Sequence, residues 1–519
     1  MTAALSPTLV LTTPAEPDPP RRRRRLPREA LLPAGLTALV LVVLSVNITG
    51  FPMTSDDEGT YLAQAWAVRQ GHGLAHYTYW YDHPPLGWMQ LAALSWLPDL
   101  LGVDGTTVAA ARVAMLPVVA ASLLLVYLVG RRLGLTVVAS AGALLVFGLS
   151  PLAVTMDRGI YLDSFAVAWM LAALALALSP QRHLWHFTAA GAATAISVLS
   201  KETMLLTAPA VAVALWQNAA RGSTRPWAAG GYLSGLTLIG MFYPLYALLR
   251  GELLPGSGHV SLIGAWTFQL ASRSGSGSVF QSGTGTSQLL HSWLYYDPII
   301  LIAGLVATLV ALPVRRLRPV VVAVVVLVVV ALRPGGYVPA MYVVQVLPFL
   351  ALVIAGVLDE GVRRTARGPR WIRPAALATI AVLVAATVAP SWWAGNRRAL
   401  TADDNAGYTA AAAYLRDRVP AKDSVRIVVD DALWLDCVRA GYRRENTIWF
   451  YKLDLDPAIP EQLPNGWHDV DYVISTPIMR QNPGALPTVS TLLAHSTPIA
   501  AFGPPDGRIE IRRIIEEKS

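Results

Sequence analysis

Long apolar stretches alternate with short polar ones along most of the chain. Segments of helical length that carry few charges lie near 30–49, 107–129, 136–154, 161–179, 185–199, 203–218, 228–249, 297–314, 318–332, 337–357 and 372–390. A helix needs about 20 predominantly apolar residues to cross a bilayer. The pattern therefore predicts a polytopic α-helical membrane protein with about eleven transmembrane helices.

The polar remainder falls into three larger parts. Two are loops, at 50–106 and 251–295, and the middle of the second is rich in glycine and serine, which predicts a flexible segment. The third begins near residue 396. It combines a helical pattern at 407–418 with strand-like segments at 425–429, 471–475, 498–502 and 508–514. We expect a tail at 1–28, a transmembrane core at 29–395 and a small α/β domain at 396–519.

The composition supports a membrane protein. The chain has 519 residues, of which 54% are hydrophobic and 14% charged, whereas soluble domains carry about 25% charged residues. The mean hydropathy is +0.46. The single cysteine, Cys437, excludes an intramolecular disulfide framework and a cysteine-rich metal site.

The distribution of the positive charge predicts the orientation. The net charge is +8, and its arginines concentrate before the first span and in every second loop. These are Arg21 to Arg25, Arg131, Arg132, Arg182, Arg221, Arg225, Arg315, Arg316, Arg318, Arg363, Arg364, Arg367 and Arg370. Such loops are typically cytoplasmic. This predicts a plasma-membrane protein with a disordered cytoplasmic N-terminal tail and an extracytoplasmic C-terminal domain, and it argues against nucleic-acid binding.

Charged residues also gather at the predicted outer helix ends, where they usually mark a pathway or a site. They are Asp56, Asp57, Glu58, Asp82, His83, Arg112, Asp157, Arg158, Asp163, Lys201, Glu202 and Arg333. A carboxylate can take the proton from an attacking hydroxyl and stabilise the oxocarbenium-like state of glycosyl transfer. Arginine and lysine can bind a departing phosphate. The combination fits a sugar donor carried on a lipid phosphate.

Simpler interpretations exist for each group. Asp56 to Glu58 are also suited to cap a helix N-terminus, and His83-Pro84-Pro85 to form a rigid turn. Arg112 and Arg158 could anchor helix ends at the headgroups, and Lys201 with Glu202 could form a structural ion pair.

A metal site is one further alternative in the first outer loop. His72, His76 and His83 with Asp82 are metal-ligand types, although histidines in a hydrated loop are more often solvated. The aromatic run from Tyr77 to Tyr81 is typical of an interfacial belt and could also stack on sugar.

The order of these motifs resembles the GT-C glycosyltransferases, in particular the protein O-mannosyltransferases and the lipid A aminoarabinose transferases. The matching elements are the Asp57-Glu58 pair in DDEGTY, the sequence HPPL at 83–86, Arg112 at the start of the next span, DRGIYLDSF, LSKET, and YVVQVLP at 342–348. The resemblance covers residues 30 to 360. Asp56 is an extra aspartate, RPGG differs from the aminoarabinose transferases, and the β-trefoil-type module of eukaryotic mannosyltransferases is absent from the sequence.

The resemblance implies a role for each candidate residue. Asp57 would be the general base, with Asp56 as the alternative, and Glu58 would position it. Arg158 and Lys201 would hold the lipid phosphate, with Arg112 and Arg333 as further candidates. Tyr61, Asp82, His83, Asp163 and Tyr342 complete the expected substrate-binding set, together with Asp56. No cofactor is required, and dependence on a divalent metal is left open.

These expectations define an inverting hexosyl- or pentosyltransferase. Its donor would be a polyprenyl-phosphate sugar in the membrane, and its acceptor an envelope glycan, lipid or protein. The main rival is a lipid-linked sugar transporter or flippase, which would carry charges near the bilayer midplane. A receptor with a partner-binding outer domain is the second rival.

Overall fold

The computed structural model describes residues 28–75, 81–219, 224–257, 259–333, 335–365, 369, 371–456, 458–481 and 486–515. Several predictions concern residues outside these ranges. They are the disordered tail with Arg21 to Arg25, the loop arginines Arg221, Arg367 and Arg370, and the segment His76 to Trp80.

Helices dominate the described residues from Arg28 to Thr401. They are α1 (Arg28–Ser45), α2 (Asp56–Arg69), α3 (Leu86–Leu94), α4 (Leu97–Leu101), α5 (Thr107–Ala111), α6 (Leu116–Arg132), α7 (Val137–Leu149), α8 (Pro151–Asp157), α9 (Leu162–Ala177), α10 (Leu184–Ser200), α11 (Ala208–Asn218), α12 (Arg225–Gly240), α13 (Phe242–Leu249), α14 (Leu262–Thr267), α15 (Gly285–Tyr296), α16 (Pro298–Ala311), α17 (Arg318–Ala331), α18 (Tyr342–Thr365), α19 (Ile372–Leu383) and α20 (Ala389–Thr401). Short 3-10 turns at Arg112–Met115, Glu202–Thr207 and Arg315–Leu317 join some of them, and π-helical turns lie at Phe268–Ser272 and Val384–Val388.

Each predicted span coincides with helical structure, but the number of spans stays a prediction. Among the described residues, four continuous helices are long and apolar enough to cross a membrane. The number rises to six if each of two bent pairs is one span. The pairs are α7 with α8, bent by 63°, and α15 with α16, bent by 104°. The loop predicted at 251–295 is partly helical, since it contains α14 and most of α15.

The two bends are joined to each other. Ser150 precedes the proline that starts α8, and Asp297 precedes the proline that starts α16. The Ser150 hydroxyl donates to the Asp297 carboxylate at 2.6 Å, and Asp297 also accepts from the backbone N–H groups of Ile299 and Ile300. Proline breaks a helix and favours its first turn. The sequence therefore places both bends, and a buried hydrogen bond holds them together.

Arginines of the predicted cytoplasmic loops meet at one end of the helical bundle. Arg316 and Arg363 both donate to the carbonyl of Gly134 and both pair with Asp359. Arg364 pairs with Glu360 beside them. The loops that carry Gly134, Arg316 and Arg363 therefore meet, and we call this side the arginine end. The predicted cytoplasmic location of these loops stays a prediction.

The described residues between Ala406 and Ile514 form a small α/β unit, as the sequence predicts. Its elements are α21 (Ala406–Asp417), β1 (Ile427–Val429), α22 (Asp431–Arg439), β2 (Thr447–Trp449), α23 (Lys452–Leu455), α24 (Ile459–Gln462), β3 (Tyr472–Ser475), α25 (Pro477–Gln481), α26 (Pro487–Ala494), β4 (Ser496–Phe502) and β5 (Ile509–Ile514). The strand order is β2-β1-β3-β5-β4, with the first three parallel. The pattern missed β2, which has only three residues.

Helix α2 lies between the bundle and this unit. One hydrophobic core contains side chains of α2 and α3 together with Trp434 of α22, and Trp434 packs edge-on against Trp66 at 5.4 Å. The approach is close at Gly59, where an added Cβ would lie 2.1 Å from the backbone carbon of Asp431. A helical glycine is normally unfavourable, and here it permits the contact. The packing fixes the acidic start of α2 beneath the C-terminal sheet.

Candidate active site at the start of helix α2

The three acidic residues at the start of α2 point in different directions. Ser55 is the N-cap, and it forms a capping box with Glu58, whose carboxylate accepts from the Ser55 backbone N–H at 3.0 Å. The expectation of a capping role is therefore confirmed for Glu58. Because successive helical residues are about 100° apart, Asp56 and Asp57 face other surroundings.

Glu58 is fully buried and paired with Arg112. The Arg112 Nε and Nη2 atoms each donate to one Glu58 oxygen at 2.8 Å, and both side chains are inaccessible to solvent. Glu58 also accepts from the backbone of Ile160, and Arg112 donates to the carbonyls of Ile48 and Pro52. The pair joins three segments of the chain, so Arg112 does not anchor a helix end at the headgroups.

Arg158 is buried in the same region. Its guanidinium donates to five backbone carbonyls, including Val43 at 2.9 Å, Val46 at 2.9 Å and Ala399 at 2.7 Å. The side chain is inaccessible to solvent, so headgroup anchoring is wrong here too. These contacts hold the end of α1 against α20 and occupy both terminal nitrogens of the guanidinium, while the buried Nε has no hydrogen-bond partner among the described residues.

Asp57, in contrast, lies in a solvent-accessible region beside Lys201, His83 and Arg273, which we call the cleft. Its side chain is exposed, yet the surrounding protein limits its hydration. Desolvation raises the pKa of the Asp57 carboxyl above its usual value, while the nearby Lys201, His83 and Arg273 act in the opposite direction. Three cationic or titratable nitrogen groups therefore lie close enough to act on one accessible carboxyl.

Lys201, His83 and Glu202 form a chain of polar contacts beside Asp57. The Lys201 ammonium lies 2.9 Å from His83 Nε2, and the His83 Nδ1 lies 3.1 Å from the Glu202 carboxylate. An ammonium only donates, so Nε2 must accept and the imidazole proton must sit on Nδ1. Burial would raise the pKa of Glu202, but the interactions with His83 and Lys201 lower it to about 2.

This chain clarifies two sequence interpretations. His83 and the prolines do form the turn that leads into α3, whose N-cap is Pro85. In the described structure Glu202 pairs with His83, and His83 in turn contacts Lys201. The imidazole therefore links Glu202 and Lys201, in place of the direct ion pair that the sequence suggests. Lys201 itself is 2% exposed and closes the inner side of the cleft.

Asp163 lies behind Lys201. Gln345 donates to one Asp163 oxygen at 2.6 Å and is also 2.6 Å from the Thr203 hydroxyl. Asp163 Oδ2 and Gln345 Oε1 are buried and have no hydrogen-bond partner among the described residues. Tyr342 is buried one turn earlier on α18, and its hydroxyl donates to the carbonyl of Leu327. The Tyr342 hydroxyl therefore binds the backbone of α17.

Arg273 joins the site from the second loop. Its guanidinium stacks on the Tyr337 ring at 3.5 Å and donates to Gln269 at 2.7 Å. Gln269 in turn donates to Asp82 at 2.9 Å. Asp82 is exposed at the edge of the cleft, and Arg333 is exposed on the loop that carries Tyr337. The sequence alone does not indicate a role for Arg273, because this residue lies in a glycine- and serine-rich segment that predicts flexibility.

The C-terminal sheet supplies the remaining wall. Asp56 accepts from the backbone N–H of Asp431 at 3.1 Å and from Trp449 Nε1 at 3.3 Å. Desolvation, followed by the charges of Asp56 and Asp57, raises the pKa of the neighbouring Tyr451 to about 12. Asp56 therefore faces the carboxyl edge of the sheet, while Asp57 faces Lys201, and Tyr451 lies within electrostatic reach of both.

Tyr61, His72 and His76 are the remaining candidates from the predicted loop at 50–106. The Tyr61 ring is buried 6.1 Å from the His83 ring. His72 is exposed and contacts Trp66 instead, and His76 lies outside the described residues. Within the described ranges, no group of three or more His, Cys, Asp or Glu side chains is arranged to hold a metal ion. Metal dependence stays an open prediction.

Part of the sequence matches a known family model, and the fold resembles that of solved structures. Residues 82–244 match the family model described as dolichyl-phosphate-mannose-protein mannosyltransferase. The structure of ArnT from Cupriavidus metallidurans bound to undecaprenyl phosphate superposes with a TM-score of 0.60 at 15% identity, covering 93% of this chain and 98% of that one. The chain therefore shares the fold of this ArnT structure. The predicted resemblance to O-mannosyltransferases and aminoarabinose transferases is thereby confirmed.

A second solved structure agrees. The oligosaccharyltransferase of Archaeoglobus fulgidus in its apo form gives a TM-score of 0.52 at 12% identity, covering 94% of this chain and 75% of that one. Comparison with curated protein sequences gives no match. The segment that matches the family model contains His83, Arg112, Arg158, Asp163 and Lys201, and Asp57 lies before this segment.

Proposed function

We propose that the protein is an inverting glycosyltransferase that moves a sugar from a polyprenyl phosphate to an acceptor at the outer face of the membrane. The observation that carries the proposal is the environment of Asp57. It is an accessible carboxylate at a cleft whose other side presents Lys201, His83 and Arg273. The GT-C fold and the undecaprenyl phosphate bound by the ArnT neighbour support a lipid-phosphate donor.

The two sides of the cleft have different roles in the proposed reaction. Asp57 accepts the proton of an acceptor hydroxyl while the hydroxyl oxygen bonds to the anomeric carbon. The bond from that carbon to the phosphate oxygen breaks, and its electron pair leaves with the phosphate. Lys201 and Arg273 stabilise the charge that develops there. A single displacement inverts the anomeric centre.

His83 and Glu202 orient the lysine in this mechanism. His83 Nε2 accepts from the Lys201 ammonium, and Glu202 holds the opposite ring nitrogen. The remaining ammonium protons are then free to face the donor phosphate. Arg112 and Arg158 take no direct part in this proposal, because Arg112 binds Glu58 and the terminal nitrogens of Arg158 bind backbone carbonyls.

The acceptor would approach from the C-terminal sheet. Trp449 is the last residue of β2, Tyr451 follows it, and both lie next to the acidic residues Asp56 and Asp57. Aromatic rings beside carboxylates are suited to bind sugar rings and their hydroxyl groups. The proposed orientation puts this edge outside, because the arginines of the predicted cytoplasmic loops lie at the arginine end.

The test is sugar transfer in membranes that contain the full-length chain and a panel of radiolabelled polyprenyl-phosphate sugars, with pentoses and hexoses included. We expect transfer from one donor, and a loss of at least about 100-fold in Asp57→Asn because general-base catalysis contributes about 10²–10⁴-fold. Lys201→Ala should lose a similar amount. Asp99→Asn is the matched control, since Asp99 is exposed in the same loop.

Three other outcomes redirect the proposal. Full activity in Asp57→Asn that is folded would exclude Asp57 as the base and make Asp56 the next candidate. Retention of the anomeric configuration in the product would exclude single displacement. If no donor supports transfer by the wild-type protein, a flipping assay with the same lipids would test the transporter alternative.

A further inference from the structure

A second pocket lies at the arginine end, away from Asp57. It is an open cavity of about 1040 Å³ between α11, α17 and the start of α12. Val213 of α11 and Val322 of α17 belong to its apolar lining, and Arg225, Arg315 and Arg318 belong to its polar lining. The cavity is therefore apolar along the helices and basic at the helix ends.

The arginines of this pocket are not neutralised by acidic side chains. Arg315 and Arg318 are exposed, and neither pairs with a carboxylate anywhere in the described part of the chain. Arg316, between them, is used differently because it pairs with both Asp359 and Glu360. The same short turn thus contains one arginine with a structural role and two that are available to an anion.

Arg225 is held over an aromatic ring in the same pocket. Its guanidinium lies 4.4 Å from the ring centre of Trp216, a cation–π contact that orients the charge. The buried Nε atom of Arg225 has no hydrogen-bond partner among the described residues. Trp216 is 56% exposed, and Trp227 of α12 is 73% exposed close by in the chain. Exposed tryptophans are typical of the headgroup level of a membrane.

The distance from the cleft places the pocket at the opposite membrane surface. Lys201 and Glu202 lie at the cleft, and the helical segment that follows reaches Trp216 and Gln217 shortly before its end at Asn218. Six residues of 3-10 helix and ten of α-helix extend over about 27 Å. The hydrocarbon core of a bilayer is about 30 Å thick. One helical segment therefore connects the two sites across the membrane.

We propose that this pocket binds the phosphate headgroup of an anionic phospholipid of the leaflet opposite the cleft. The cations would contact the phosphate, and the apolar lining would contact the first part of the acyl chains. A soluble anion would gain nothing from Val213 and Val322. Basic pockets between transmembrane helices on the cytoplasmic side are suited to acidic lipid headgroups. The proposal does not depend on Asp57 or on glycosyl transfer.

The experiment is a lipid titration of the full-length protein in detergent, followed by native mass spectrometry. Phosphatidylglycerol is compared with phosphatidylcholine for the wild type, for Arg315→Gln/Arg318→Gln and for Arg225→Gln. We expect preferential binding of phosphatidylglycerol by the wild type, weakened about 10- to 30-fold in the double variant, since each basic residue near an anionic membrane surface contributes about 1 kcal/mol. Arg364→Gln removes an exposed arginine at the same end that already pairs with Glu360, and it is the matched control.

The outcomes separate the possible ligands. Equal phosphatidylglycerol binding by wild type and both pocket variants would overturn the proposal. So would displacement of the lipid by glycerol 3-phosphate at comparable concentrations, because the ligand would then be a soluble anion. A melting curve of each variant identifies misfolded protein, and the single change Arg225→Gln keeps the test valid if the double variant does not fold.

Discussion

Arg112 and Glu58 form a bidentate salt bridge in which both side chains are fully buried. Removing one partner of such a pair leaves an uncompensated charge and costs roughly 3–5 kcal/mol. We therefore expect Arg112→Gln to lower the melting temperature of the purified protein strongly. Arg112→Lys should recover only part of the loss, because lysine lacks the planar fork. Circular dichroism melting in detergent measures both.

Arg69→Gln is the control for this prediction, since Arg69 is exposed and bonds only to Ser95 in the described structure. If Arg112→Gln melts like the wild type and loses only sugar transfer, then Arg112 contacts the donor and the structural role is wrong.

Asp56→Asn should stabilise the fold at neutral pH. Burial, followed by the charges of Asp431 and Asp430, raises the pKa of the Asp56 carboxyl well above its usual value. A carboxyl whose pKa is raised on folding destabilises the folded state once the pH exceeds the unfolded pKa, about 3.9. An asparagine Oδ1 can still accept from Asp431 and Trp449. The gain in melting temperature should be largest near pH 7 and should shrink as the pH falls towards 4.

The comparison with Asp104→Asn, an exposed aspartate of the same loop, isolates the effect of burial. A gain that is constant across pH 4 to 7, or a loss of stability at pH 7, would contradict the assigned ionisation of Asp56.

Arg273→Gln should shift the pH profile of sugar transfer. A general base must be ionised, so the activity falls as the pH drops through the pKa of Asp57. Desolvation raises that pKa, and the charge of Arg273 lowers it. Without Arg273, the acidic limb of kcat/KM should move to higher pH, in addition to any loss of phosphate binding. The measurement is kcat/KM against pH for the wild type and the variant.

Arg250→Gln removes a cation of the same outer segment that pairs with Glu252, and its acidic limb should match that of the wild type. An unchanged limb in Arg273→Gln would mean that Arg273 does not act on the base.

Gly59→Ala should separate the C-terminal domain from α2. The new Cβ would lie 2.1 Å from the Asp431 carbon and 2.2 Å from its carbonyl oxygen, which rigid backbone cannot accommodate. We expect faster limited proteolysis between the bundle and the C-terminal domain and a loss of transfer. Gly230→Ala in α12 meets no neighbour within 4 Å and should be tolerated, because alanine favours a helix. Equal proteolysis of both variants would disprove the close docking.

The local pattern and the charge distribution determined the parts of the protein that depend on short-range physics. Apolar segments of sufficient length become helices in a membrane because no other conformation satisfies their backbone groups. The α/β character of the C-terminal unit followed from alternation at 425–429 and 471–475, where β1 and β3 form. Residue type and the position at predicted helix ends select Asp57, His83, Asp163 and Lys201, and the resemblance to GT-C glycosyltransferases supplies their expected roles.

Only the tertiary structure decided which of these charges share a site. Asp56, Asp57 and Glu58 are adjacent in the chain, yet one faces the sheet, one the cleft and one the buried Arg112. Residue type alone cannot distinguish a guanidinium that binds a phosphate from one that binds backbone carbonyls. Arg158 and Arg273 differ in this respect, because folding encloses one and leaves the other beside Asp57. Long-range packing sets the local dielectric and the free hydrogen-bonding groups, and these determine the chemistry available to each charge.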